Sequence, residues 1–195
     1  YVGNVEGVLR YDGEAWDLLV LPGKAIGRDL ATGKDGQIYV ASYDTFGWLI
    51  AGEDGQVRYE ELMTAAGLKG RARAVGMVWQ VYATGQGVYF RAENALHFLS
   101  DDRRRIEHWP LQDNVRSFNV DGDTLYARVD GVGFCRFVMG RFELEPGGEL
   151  FANQALPGLI SKGNWRLMVG PKNFFRADAQ GIHPLPAGAG AELAG

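Results

Sequence analysis

The chain has 195 residues, with Lys plus Arg at 20 against Asp plus Glu at 24, for a formal net charge of −4. Such mild acidity leaves no electrostatic footprint for duplex DNA or an anionic membrane, and 46% hydrophobic with 23% charged residues is a globular rather than a disordered balance. No apolar run approaches the roughly 20 residues of a membrane-spanning helix, and a single cysteine, Cys135, excludes an intrachain disulfide framework and a multi-cysteine zinc site.

With 28 Gly, 7 Pro and 12% aromatics, the composition points to many short strands joined by tight turns. In chain order one pattern recurs: a turn, a strand carrying Tyr or another bulky residue, a short polar loop, a second apolar strand, a turn and a third strand. The first copy is partial: Tyr1-Val2-Gly3, then Gly7-Val8-Leu9-Arg10-Tyr11, then Ala15-Trp16-Asp17-Leu18-Leu19. The clearest follows in Asp35-Gly36-Gln37-Ile38-Tyr39-Val40, Phe46-Gly47-Trp48-Leu49-Ile50 and Gln56-Val57-Arg58-Tyr59. A third runs Gly87-Val88-Tyr89-Phe90, Ala95-Leu96-His97-Phe98-Leu99 and Ile106-Glu107-His108-Trp109. A fourth runs Asp121-Gly122-Asp123-Thr124-Leu125-Tyr126, Gly133-Phe134-Cys135-Arg136-Phe137 and Arg141-Phe142-Glu143-Leu144. The last, Trp165-Arg166-Leu167-Met168-Val169, Phe174-Phe175-Arg176 and Gly181-Ile182-His183, is degenerate.

Every copy but the first has a further strand ahead of its turn, as in residues 26–32, 77–82, 115–120 and 159–161. Asp-Gly between apolar strands predicts a type I′ hairpin, with positive φ at both central residues. Four short antiparallel strands repeated every 40 residues or so are the signature of β-propeller blades; a β-sandwich has similar strands but does not repeat one motif at a fixed period. The expected fold is therefore all-β, a partial ring of four to five blades at about 1–22, 26–62, 76–111, 114–146 and 159–186. An insertion at about 62–76 holds the one helical candidate, Glu60-Glu61-Leu62-Met63-Thr64-Ala65-Ala66. Residues 187–195 read as a linker-like tail, so that the chain resembles an excised segment.

Arg28-Asp29-Leu30-Ala31 through Ile38-Tyr39-Val40, followed by Phe46-Gly47-Trp48-Leu49, resembles the two-component regulator propeller repeat, as does Val78-Trp79-Gln80-Val81-Tyr82 through Val88-Tyr89-Phe90. The resemblance covers residues 1 to about 146 well and 147–186 weakly. It implies a periplasmic sensor region of a bacterial membrane-bound signalling protein, with a kinase or diguanylate cyclase output elsewhere in a membrane-anchored, dimeric parent.

No catalytic constellation stands out. His97, His108 and His183 form no metal-ligand spacing; His97 reads as a satisfied strand residue, and His108 and His183 as exposed outer-strand residues. Cys135 reads as a small buried hydrophobe. Asp101-Asp102 and Asp121/Asp123 sit where turns favour Asp, and Arg103-Arg104-Arg105 is a solvated turn rather than a nucleic-acid patch. Neither metal, cofactor nor catalysis is expected.

What remains is recognition by loops. Those joining the second and third strands of each blade should share one face, bringing together Asn4, Tyr43, Asp44, Glu93, Asn94 and Asp130, with Arg28, Arg71 and Arg73 approaching from the blade-to-blade connections. Amide, carboxylate and aromatic groups on a concave surface suit a small hydroxyl-rich ligand such as an oligosaccharide. Two alternatives are a propeller lyase of the streptogramin-lyase type, which needs a His/Glu pair and metal ligands, and a pure interaction scaffold.

Overall fold

The computed structural model describes residues 1–53, 55–64, 67–68, 74–156 and 158–186. The expected tail, together with Ala65, Ala66, Arg71 and Arg73 of the insertion, lies outside the described residues. Among the described residues nineteen strands form five antiparallel sheets. The first sheet has three strands, β1 (Val2–Asn4), β2 (Gly7–Tyr11) and β3 (Trp16–Leu19). The second has β4 (Asp29–Thr32), β5 (Ile38–Ala41), β6 (Phe46–Ala51) and β7 (Val57–Glu61); the third has β8 (Val78–Thr84), β9 (Gly87–Ala92), β10 (Ala95–Ser100) and β11 (Ile106–Pro110). The fourth comprises β12 (Val115–Asp121), β13 (Thr124–Val129), β14 (Gly133–Val138) and β15 (Arg141–Leu144); the fifth comprises β16 (Gly158–Lys162), β17 (Trp165–Val169), β18 (Phe174–Asp178) and β19 (Gly181–Pro184). In every sheet consecutive strands are neighbours, so the chain is all-β and built of β-propeller blades.

The chain divides into two compact units, Tyr1–Leu111 and the residues from Gln112 onward. Within the first, the strand alternation of period two sends successive side chains to opposite faces of the second sheet. Ile38, Val40 and Leu49 pack with Val8, Leu19 and Leu21 of the first sheet and its exit. Tyr39, Ala41 and Phe46 instead meet Val88, Phe90 and Ala92 of the third sheet, with Phe46 stacked 4.5 Å from Phe90. The connection from β7 to β8 adds Leu62, Met63, Leu68 and Val75 to this layer. Within the second unit, Tyr126 and Phe134 pack with Met168, Phe175, Ala177 and Ile182, and Phe151 and Leu156 from the connection join them.

Each unit also brings two glycines together where a connection crosses the start of a strand. A Cβ on Gly27 would stand 2.2 Å from the Gly7 carbonyl oxygen, and one on Gly133 would stand 2.2 Å from that of Gly148, closer than side chains allow.

Two expectations need correction. Glu60 and Glu61 are not helical: they finish β7, opposite Trp48 and Gly47 of β6, where strand pairing overrides their helical propensity. The Asp-Gly hairpins at Gly36 and Gly122 also form without type I′ geometry, since only the glycine takes positive φ, at 81° and 56°, whereas the β14–β15 turn has positive φ at both Met139 (45°) and Gly140 (87°). Asp35 serves instead by accepting the Gln37 amide at 3.1 Å, a side-chain turn that a five-residue loop accommodates.

Candidate functional site

The loop between β5 and β6 is the best-anchored part of the expected face. The Ser42 amide donates to the Thr45 carbonyl (3.1 Å) and the Ser42 hydroxyl to the Ile26 carbonyl (2.6 Å), while the Thr45 hydroxyl meets the Tyr59 phenol (2.8 Å). Burial pushes the Tyr59 phenol far up, so it stays a neutral hydrogen-bonding partner. On this frame Tyr43 is 56% exposed and pairs its backbone with Met77.

Asp44 adopts a left-handed φ of 53° and spends its groups on the next connection: its amide donates to the Gly76 carbonyl and its Oδ1 accepts the Gly76 amide, both at 2.8 Å. Glu93 is exposed and lies against Gly76, so that a Cβ there would meet its Oε2 at 2.4 Å. Asn94 is also exposed, with its carbonyl accepting the Leu111 amide at 2.8 Å. Asn4 turns inward on its own loop, Oδ1 accepting the Glu6 amide at 2.9 Å, while its carbonyl accepts that of Gly27 at 2.8 Å. These contacts bring Asn4, Arg28, Tyr43, Asp44 and Glu93 to one end of the sheets of the first unit.

Arg28 has a partner that the sequence did not announce. Its backbone donates to Ala41 at 2.8 Å, and its guanidinium lies 4.9 Å over the ring of Trp79 on β8. Trp79 is 37% exposed although Val78 and Val81 beside it are buried, because the β8–β9 register shifts between Val78 and Gln80. A bulge re-aims one side chain in this way. A Trp in a first strand was the available signal, but the offset that exposes it has no mark in the hydrophobic pattern.

Asp130 belongs to the other unit and is fully engaged there. Its carboxylate accepts Arg116 Nε at 2.9 Å and pairs with Arg128, and the Arg116 hydrogen bond followed by the Arg128 charge holds the carboxyl below its ordinary value. Arg71 and Arg73 lie outside the described residues.

Chemically, the face offers two exposed aromatics, a guanidinium, an amide and a carboxylate. Among the described residues no three His, Cys, Asp or Glu side chains gather as metal ligands would. Cys135 is buried and burial pushes its thiol up, while His108 and His183 are exposed. His97 departs from expectation: it is 2% exposed, yet neither ring nitrogen has a hydrogen-bond partner. Clefts occur at the other end of the strands, one beside Asp35, Gln37, Leu49 and Arg103 and one beside Asp121, Asn164, Trp165 and Asp178; none of the expected loop residues lines them.

No family model matches the sequence, and no curated protein matches it. Solved structures do share the fold. The extracellular domain of BT4673 from B. thetaiotaomicron, assigned to a one-component system, aligns over 93% of this chain at 16% identity with a TM-score of 0.60. That of BT3049 from the same organism, assigned to a hybrid two-component system, aligns over 90% at 13% identity and 0.58. Virginiamycin B lyase from Staphylococcus aureus aligns over 93% at 14% identity and 0.57. The chain spans 25% of the length of each extracellular domain and 63% of the lyase. Likeness at these identities establishes the architecture alone: the chain folds as propeller blades of a kind shared by extracellular signalling domains and by a lyase.

Proposed function

We propose that this chain is a ligand- or partner-binding segment in the extracytoplasmic, periplasmic sensor region of a membrane-anchored, dimeric bacterial signalling protein, without catalysis of its own. The observation that carries this reading is the Tyr43 loop: an exposed aromatic held rigidly by Ser42, Thr45 and Asp44, beside the Arg28–Trp79 stack. A preorganised loop loses little conformational entropy on binding. Tyr43 and Trp79 present flat apolar faces to a sugar ring, and Arg28, Glu93 and Asn94 supply donors and acceptors for its hydroxyls. Asn4, Asp44 and Asp130 serve the frame, since hydrogen bonds within the protein occupy their polar groups. The likeness to two extracellular domains of bacterial signalling systems supports the setting.

The test is a glycan panel against the complete extracytoplasmic region of the parent protein, followed by titration of any ligand found. Tyr43→Ala and Trp79→Ala should each weaken binding about tenfold, equal to about 1.4 kcal/mol. A bound glycan whose affinity moves less than about threefold in both variants would place recognition elsewhere.

A further inference from the structure

His97 on β10 stands directly opposite His108 on β11, the two rings 6.0 Å apart. Its other neighbours are apolar: Phe90 faces it from β9, and the ring of Phe46 on β6 lies 5.0 Å away. Both ring nitrogens are buried and without a partner, a state that is unfavourable for neutral imidazole and far more so for the charged form. The flanking charged residues do not offset it. Arg91 and Glu107 sit one residue from Phe90 and His108 and so project to the opposite face of the sheet. On β7, Glu60 accepts Trp48 Nε1 at 2.8 Å and Glu61 accepts the Thr64 hydroxyl. Among the described residues, the charge that bears on His97 is that of a proton on His108, which opposes a second one on His97.

We propose that His97 is an acid-sensitive latch holding the second and third sheets together: neutral, it packs as a hydrophobe between Phe46 and His108, and protonation expels it. The first contact to loosen is next to Phe46, whose carbonyl accepts the Leu62 amide at 3.0 Å and so starts the connection carrying Met63, Leu68 and Val75. That connection ends at Gly76 and Met77, the residues that hold the Tyr43 loop. The latch does not depend on which ligand, if any, the loop binds.

Burial, and secondarily the His108 charge, lowers the His97 value from 6.5 to about 4. A base depressed in the folded state contributes its full stability above the unfolded value and loses it as pH falls. The folding equilibrium of the wild type should therefore drop about tenfold per pH unit between about 6.5 and 4, beyond any change in a variant lacking this imidazole.

The experiment uses the complete extracytoplasmic region, with urea unfolding from pH 7.5 to 4, wild type against His97→Phe, and ring-proton NMR titration of the wild-type histidines. Expected are a His97 midpoint near 4, early acid loss of Leu62 amide protection, and a His97→Phe protein at least as stable as wild type at pH 7.5 but without the extra pH slope. A His97 midpoint at 6 or above, or the same slope in both proteins, overturns the proposal. Should His97→Phe fail to fold, His97→Leu replaces it, and the wild-type titration decides on its own.

Discussion

The layer between the second and third sheets and the layer between the fourth and fifth are built from the same strand positions but closed by different means. In both, an aromatic on the leading sheet's second strand and another on its third strand face the following sheet: Tyr39 with Phe46, and Tyr126 with Phe134. Both layers then take in residues from the connection that follows. In the first these are four aliphatic side chains, Leu62, Met63, Leu68 and Val75; in the second Phe151 dominates, edge-on to Phe134 at 6.4 Å and to Phe175 at 5.0 Å, with Leu156 beside it. The repeat thus supplies two walls, and a non-repeating segment fills the gap. One gap is filled by many small contributions and the other largely by one ring.

That contrast can be broken experimentally. Phe151→Ala should destabilise the second unit by about 3–5 kcal/mol, the range for a buried aromatic replaced by a cavity, whereas Met63→Ala should cost the first unit about 2–3 kcal/mol because three aliphatic neighbours remain to relax into the space. Urea unfolding of both variants measures the difference, and equal losses would mean that the filling is no more distributed in one layer than in the other. A smaller effect tests how the first layer's connection is pinned at its far end. Asp44→Ala removes the acceptor of the Gly76 amide and should cost about 1 kcal/mol. Asp44→Gly should cost less than Asp44→Ala, since glycine accepts the left-handed φ of 53°.

The smallest effect separates the layers by pH. Burial alone would raise the Asp121 carboxyl, but hydrogen bonds from Ser161 and Arg166 outweigh it and hold the carboxyl below its ordinary 3.8. A depressed carboxylate stabilises the fold above its unfolded value and loses that contribution as pH falls through the folded one. The second layer should therefore soften only below about pH 4, with Asp121→Asn flattening the decline, whereas the first layer responds to His97 well above it. Unfolding the two layers at pH 5, read by amide exchange at Leu62 and at Met168, distinguishes them: loss of protection at Met168 first would reverse the assignment.

The strands were legible because two independent signals agreed, the period-two apolar pattern and the recurring turn residues ahead of Tyr39, Tyr89 and Tyr126. The filling of the gaps was not. Leu62, Met63, Phe151 and Leu156 sit in segments with no periodicity, so nothing local says that they are buried; a run such as Glu60 to Ala66 even looks helical until Glu60 finds Trp48 across the sheet. The candidate loop was legible by position, since repeat register places Tyr43 after a second strand. How its neighbours spend their polar atoms was not, because Asp44 and Asp130 occupy similar loops but meet a backbone amide in one case and two arginines in the other. Trp79 escaped notice because a single-residue bulge turns it outward without altering the pattern of its buried neighbours.

The glycine contacts have an evolutionary consequence. Repeats of this kind diverge freely where side chains face solvent, and the copies here share little beyond their strand frame. Gly7, Gly27, Gly133 and Gly148 cannot drift in the same way, because a backbone carbonyl oxygen, that of Leu19, Gly7, Gly148 and Phe134 respectively, occupies the space a methyl group would need. The obstacle in each case is a main-chain atom, so no change of the facing side chain brings relief and each position is constrained on its own. In a saturation library of this chain, these positions, together with Gly47 and Gly87 within the second and third sheets, would stand out as sites where even alanine is rejected.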